Sequence, residues 1–166
     1  MWYDMQNYVF PTTNLKRYRF PTHVNDLVYD RAHARCSEVF VVVLEPGEAP
    51  PFHVHDDTEQ VFHIIEGAGT LTIGADRRTH AVHPGDVVLV PPATPHSIKA
   101  DGGQRLRYLS VDCFGAGKPK EPTWDEHVKA ICRERGWSYD QVAGGGIGEI
   151  GRRVTLRPPS DRPQSC

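Results

Sequence analysis

No stretch of this 166-residue chain approaches the roughly 18 consecutive apolar residues that a membrane span needs. The opening decapeptide, MWYDMQNYVF, has neither the basic start nor the apolar core of a secretory signal. An excess of one charge is also missing. Nineteen Lys and Arg stand against 21 Asp and Glu, a net charge of -2, so no overall basic field draws the chain to nucleic acid or to an anionic membrane. The four cysteines, Cys36, Cys113, Cys132 and Cys166, include no C-x-x-C pair. These absences are read together as a cytoplasmic protein with reduced thiols, without membrane or nucleic-acid partners. Nucleophile motifs, glycine-rich phosphate loops, dinucleotide fingerprints and helix-turn-helix patterns are lacking too, which moves any chemistry toward a bound metal and away from DNA-linked sensing.

What the chain has in quantity is punctuation. Fifteen glycines and 14 prolines interrupt it too often for long helices and suit many short strands. Val39–Leu44, His53–His55, Gln60–Ile65, Gly69–Ile73, Thr79–Val82, Val87–Val90, His96–Lys99 and Arg105–Asp112 read as strands. With turns this closely spaced they predict an all-β antiparallel sandwich or closed barrel. Residues 1–35 read as an amino-terminal arm of short extended pieces broken by Pro11 and Pro21, with the barrel over 36–117. Beyond it, Thr123 and Glu126 form a capping-box pattern and Gly136 a stop. They bound a helix predicted over 124–135 whose Trp124, Val128 and Ile131 share one face. Gly144-Gly-Gly146 reads as a flexible joint and the residues after it as a tail, so that 118–166 form a helix and tail within one domain overall.

Two stretches carry the chemistry. The first, GEAPPFHVHDDTEQVFHIIEG from Gly47 to Gly67, places His53 and His55 one residue apart. In extended chain, residues i and i+2 share a face, and two neutral imidazoles on one face are half of a transition-metal site. The second, PGDVVLVPPATPH, runs from Pro84 to His96. Together they resemble the two motifs of the cupin superfamily. The first family motif is matched by Gly47, His53, His55, Gln60 and Gly67, and the second by Gly85, Pro91 and His96, with the family's spacings kept. Three positions depart from the pattern. Gln60 stands where the family usually has glutamate, Ala93 where it has glycine, and Ala100 where it has asparagine.

The resemblance covers roughly residues 36–114 and implies a jelly-roll barrel, a divalent transition metal (Fe, Ni, Zn, Mn or Co) and the ligands His53, His55, Gln60 and His96. An amide in place of a carboxylate leaves the ion's charge uncompensated, which favours anionic ligands such as carboxylates or enolates. Glu59 is the rival fourth ligand. Glu59 and Gln60 lie on opposite faces of their strand, and the position of Gly67 favours Gln60. Catalytic residues stay open, with Glu59, His63 and Tyr108 as candidates. By strand parity Phe52, Phe62, Tyr108 and Ser110 line a pocket, with Arg105, Arg107 or Lys99 at its mouth suiting an acidic or polyoxygenated small molecule. The expected function is a metal-dependent enzyme, dioxygenase-like or isomerase- or lyase-like, with substrate chelated at the metal. The alternative is a non-catalytic binding or sensing protein. A homodimer is expected, because strand-like pieces in the arm need an edge to pair with.

Overall fold

The computed structural model describes residues 8–148. It contains ten strands and two helices: β1 (Leu15–Arg19), β2 (Val24–Tyr29), β3 (Ser37–Leu44), β4 (Thr58–Glu66), β5 (Gly69–Ile73), β6 (Arg78–Val82), β7 (Val87–Val90), β8 (His96–Ala100), β9 (Leu106–Phe114), α1 (Trp124–Arg135), α2 (Tyr139–Ala143) and β10 (Ile147–Gly148). Seven strands form one antiparallel sheet in the order β10-β1-β2-β3-β9-β4-β7, and β6-β5-β8 form a second. The all-β jelly-roll class expected from the sequence is the one observed.

Alternation explains the large sheet. Along β4, Thr58, Gln60, Phe62 and Ile64 are buried while Glu59 and His63 are exposed, the period of a strand with one covered face. Along β9, Leu106, Tyr108, Ser110, Asp112 and Phe114 turn inward in the same way. The central β3 is buried on both faces from Glu38 to Leu44, which is why it reads as a nearly unbroken apolar run. The inner faces close on a core that includes Phe40, Phe62, Ile64, Leu71, Ile98, Leu106 and Tyr108. Gly67 ends β4 at φ 84°. A Cβ there would drive into the backbone carbonyl of Arg105, so only glycine fits.

The arm is not an appendage. β1 and β2 extend the large sheet through the pairing Val24↔Val43 to Leu27↔Phe40, and Pro11 and Pro21 lie outside these strands. The strand-like pieces of the arm thus pair within the chain's own sheet. The predicted strand at His53–His55 is extended chain held by a single bridge, His53↔His96.

The helix bounds match those read from the sequence. Thr123 Oγ1 accepts from Glu126 N, and Gly136 closes the helix in the left-handed region at φ 68°. The reciprocal half of the capping box is replaced by a Glu126–Lys129 contact. Trp124, Val128 and Cys132 are buried, and Trp124 packs on Phe40 at 4.8 Å between ring centroids. The helix therefore lies on the open side of the sheet. The short α2 has no counterpart in the sequence reading. Gly144–Gly146 is not a free joint: Gly145 fits against the backbone of Arg17 and Arg19, and Gly146 O accepts from Arg17 N at 3.1 Å. The expected tail and Cys166 lie outside the described residues, as does the start of the arm. No helix among the described residues is long and apolar enough to cross a membrane.

Candidate metal centre

The two histidine stretches meet through their backbones. His53 N donates to His96 O at 3.1 Å and His96 N to His53 O at 2.8 Å. A further bond, Ala93 N to His55 O at 2.7 Å, ties the proline-rich turn before β8 to the second histidine. Three imidazoles are thereby fixed from the backbone before any side-chain choice is made.

The ring nitrogens follow. His53 Nδ1 donates to the Pro51 carbonyl at 2.7 Å and His96 Nδ1 to the Thr94 carbonyl at 3.0 Å. Each bond places the ring proton on Nδ1 and leaves Nε2 with its lone pair. His53 Nε2 and His55 Nε2 stand 3.1 Å apart, and one ligand atom from each of His53, His55 and His96 falls within 4.8 Å of the others. Since a metal–nitrogen bond is about 2.0–2.1 Å, one ion can serve all three. Burial holds the three rings neutral, as ligation requires. It lowers the pKa of His53, takes His55 down to about 3 with help from its two neighbours, and takes His96 to about 4.

Gln60 points the same way as Phe62 and lines the cavity with the histidines. Its Nε2 donates to Asp112 Oδ1 at 2.8 Å, and its Oε1 is buried with no hydrogen-bond partner among the described residues. An orphaned amide oxygen on a residue that lines the same cavity as three neutral imidazoles fits a divalent cation. Glu59 lies on the outer face, so the register that would make it a ligand is not the one formed.

The cavity has a volume of about 280 Å³, near the lower end for small-molecule sites. Phe62, Tyr108 and Ser110 line it as expected from parity. Phe52 and Arg107 do not. Phe52 lies under the Arg77 guanidinium at 4.1 Å. Arg107 alternates with the inward residues of β9 and pairs with Glu66 at 3.1 Å. His63, exposed on β4, is likewise off the cavity, so Glu59 and His63 are both misplaced for a catalytic role. Burial raises the Tyr108 pKa, with Asp112 adding to it, and keeps its hydroxyl protonated.

Several lining residues were not read as pocket residues from the sequence. His23 and Asn25 come from β2 and the turn before it, Asp112 from β9, and Trp124, His127 and Trp137 from α1 and the turn after it. Burial takes His23 to about 3. It pushes Asp112 up to about 7, with Glu38 adding to the rise and Gln60 and Ser110 opposing it. Behind this wall Arg31 and Glu38 form a two-pronged pair at 2.8 and 2.7 Å, buried on both sides. Parity carried two residues past Ser110 would have found Asp112. Nothing local marks His23 or Trp137.

A double-sheet antiparallel fold with a cavity lined by three histidines defines a class of small barrel proteins built around a ligand or metal pocket. Residues 40–112 match the family model described as the cupin domain, which supports a place in the cupin superfamily for this stretch of the chain. Over 82 residues, 49% of this chain and 62% of the other, it is 32% identical to the uncharacterized protein MJ1618 of Methanocaldococcus jannaschii. Over 101 residues, 60% of this chain and 29% of the other, it is 29% identical to quercetin 2,3-dioxygenase of Bacillus subtilis. The chain thus spans less than two thirds of the length of these curated relatives. Among solved structures it resembles the polyketide cyclase RemF of Streptomyces resistomycificus, with a TM-score of 0.57, 21% identity, and coverage of 83% of this chain and 99% of that one. That likeness is one of fold.

Proposed function

We propose that the chain is a metal-dependent enzyme that binds one divalent transition metal through His53, His55, His96 and Gln60 and acts on a small oxygen-bearing molecule chelated at that metal. The observation that carries this reading is the set of three neutral imidazoles whose ligand atoms lie within 4.8 Å of one another and line one cavity. When bound, the metal supplies Lewis acidity or redox chemistry to oxygen atoms of the substrate.

The walls narrow the substrate. Phe40, Phe62, Tyr108, Trp124 and Trp137 line the cavity and offer flat apolar faces. They suit an aromatic or otherwise unsaturated body carrying two vicinal oxygens, which would lie against these faces. Arg135 and His127 also line the cavity and suit an acidic substituent. The dioxygenase-like reading is supported by these walls and by the identity to quercetin 2,3-dioxygenase. The isomerase- or lyase-like reading needs a protein base, and two of the three residues the sequence offers for it, Glu59 and His63, face away.

The test is metal content of protein purified without chelator, followed by reconstitution with Fe(II), Mn(II), Ni(II) or Zn(II) and assay against catechols, flavonols, hydroxy-ketones and sugars. Turnover of an aromatic substrate with stoichiometric O₂ uptake supports the oxygenase. Anaerobic turnover with Zn(II) moves the reading to isomerase or lyase. Tight ligand binding without turnover replaces catalysis by a binding role, and failure to hold any of these metals overturns the whole reading.

A further inference from the structure

Gln60 poses a problem that the glutamate usual at this position does not. A carboxylate has two oxygen ends, so either can face a cation. A primary amide has one end with lone pairs and one with two N–H groups, and only the first can ligate. A glutamine ligand therefore needs a neighbour that tells its ends apart.

We infer that Asp112 is that neighbour: by accepting from Gln60 Nε2, it positions the amide so that Oε1 remains as the donor atom for the metal. The inference rests on the metal-binding reading above. Asp112 Oδ1 receives two donors, Gln60 Nε2 at 2.8 Å and Ser110 Oγ at 3.1 Å. An oxygen that takes two donors acts as an acceptor whether or not its twin carries a proton, so the discrimination does not depend on titration. The arrangement is set by the ladder as well as by side-chain choice, because Gln60 and Asp112 are directly opposed partners of β4 and β9. Both residues are 5% exposed and Ser110 is 1% exposed, which leaves little water to compete. Turning the amide over would bring two acceptor oxygens together at the Asp112 contact and point N–H groups away from it. The observed pose instead leaves Oε1 buried and unpaired. A protein without use for that oxygen would bear the cost of a buried acceptor left without a donor. Asp112 is thus a positioning residue, acting on the metal through Gln60.

The experiment compares two backgrounds in the full chain. Zn(II) affinity of chelator-stripped protein is measured by calorimetry for wild type, Asp112→Asn, Gln60→Glu and the double variant, with melting curves to confirm folding. The asparagine introduced by Asp112→Asn presents either a donor or an acceptor and no longer distinguishes the amide's ends. With Gln60 in place the substitution should weaken Zn(II) binding by about 10-fold or more, the range for lost partners of metal ligands. In the Gln60→Glu background it should cause no loss, because a carboxylate has no wrong end. Equal losses in both backgrounds would mean a merely structural role and overturn the inference, and so would no loss in either. The second readout is the Gln60 side-chain amide in NMR spectra of the metal-free protein. Its N–H held by Asp112 should be slow to exchange in wild type and fast in Asp112→Asn, and identical exchange would refute the positioning even with metal binding intact. A wild type that binds no Zn(II), Fe(II), Ni(II) or Mn(II) overturns the metal reading itself, and this inference with it.

Discussion

Ala93 stands where the superfamily's second motif has glycine, and its backbone shows what that exchange costs. Its φ is 55°, in the left-handed region where a Cβ crowds the following carbonyl by roughly 1–2 kcal/mol. Glycine escapes that crowding but gives up about 0.4–1 kcal/mol in the unfolded chain, where it has more freedom to lose. The difference predicts that Ala93→Gly stabilises the metal-free protein by about 0.5–1 kcal/mol. For a chain of this size that is a rise of roughly 1–4 °C in Tm. Ala93→Val should go the other way, since branching at Cβ sharpens the clash. The position bears on the site as well. Ala93 N–H holds the His55 carbonyl at 2.7 Å, and the next residue, Thr94, holds the His96 ring through its carbonyl. Relief of strain here should leave both bonds in place and metal affinity unchanged. Paired thermal melts and metal titrations of the three proteins provide the test. If Ala93→Gly lowers Tm, or Ala93→Val matches wild type, the strain assigned to this turn is not there.

Three further outcomes follow from the same structure. His96→Ala should weaken metal binding by about 100-fold or more while Tm of the metal-free protein moves by only a few degrees, because the His53–His96 bridge is made by backbone atoms; calorimetry and melting curves separate the two effects. Burial takes His23 and His55 to about 3 and His96 to about 4, so below the unfolded value of about 6.5 the unfolded state takes up protons that the folded state refuses. The stability of metal-free protein should then be full above about pH 6.5 and decline as the pH falls toward about 4, and a Tm that stays flat from about pH 7 to about pH 5 would contradict it. Asp125 accepts from Tyr139 at 2.7 Å, Tyr18 at 3.1 Å and Lys16 at 3.3 Å, tying α1 to β1 and α2, so Asp125→Ala should cost about 2 kcal/mol in urea unfolding and speed hydrogen exchange in α1 more than in β9.

Local rules make most of the barrel legible. The ends of β5, β7 and α1 coincide with those read from the sequence because turn glycines, the Pro-Gly-Asp turn and the Thr123 cap act within a few residues of the ends they set. The position of Gly67 favours Gln60 inward over Glu59, and in the fold this register buries Phe62 and Ile64 with it. The arm misleads for the complementary reason. Pro11 and Pro21 mark breaks correctly, but whether the pieces between them join a sheet depends on β3 offering a free edge, and no residue of the arm reports that. α2, at five residues, is too short for periodicity to speak.

The site divides along the same line. Two histidines stand one residue apart and the third follows a recognisable turn, so their convergence can be read. Whether the ligand set is electrically neutral cannot. From the sequence, an amide at position 60 leaves the ion's charge without a partner. In the fold, the carboxyl group of Asp112, 52 residues away, sits 2.8 Å from the far end of that amide. An acidic residue in a strand reads as rim when its neighbours in space are unknown, and Asp112 becomes an inward residue only once β9 is laid against β4 with Gln60 opposite it. On the proposed ligand set, a carboxyl group near the ion would come from the pairing of the two strands and not from the motif. A Gln60→Glu exchange should be judged against Asp112 as its neighbour, since it would bring two carboxyl groups into contact inside a nearly dry wall.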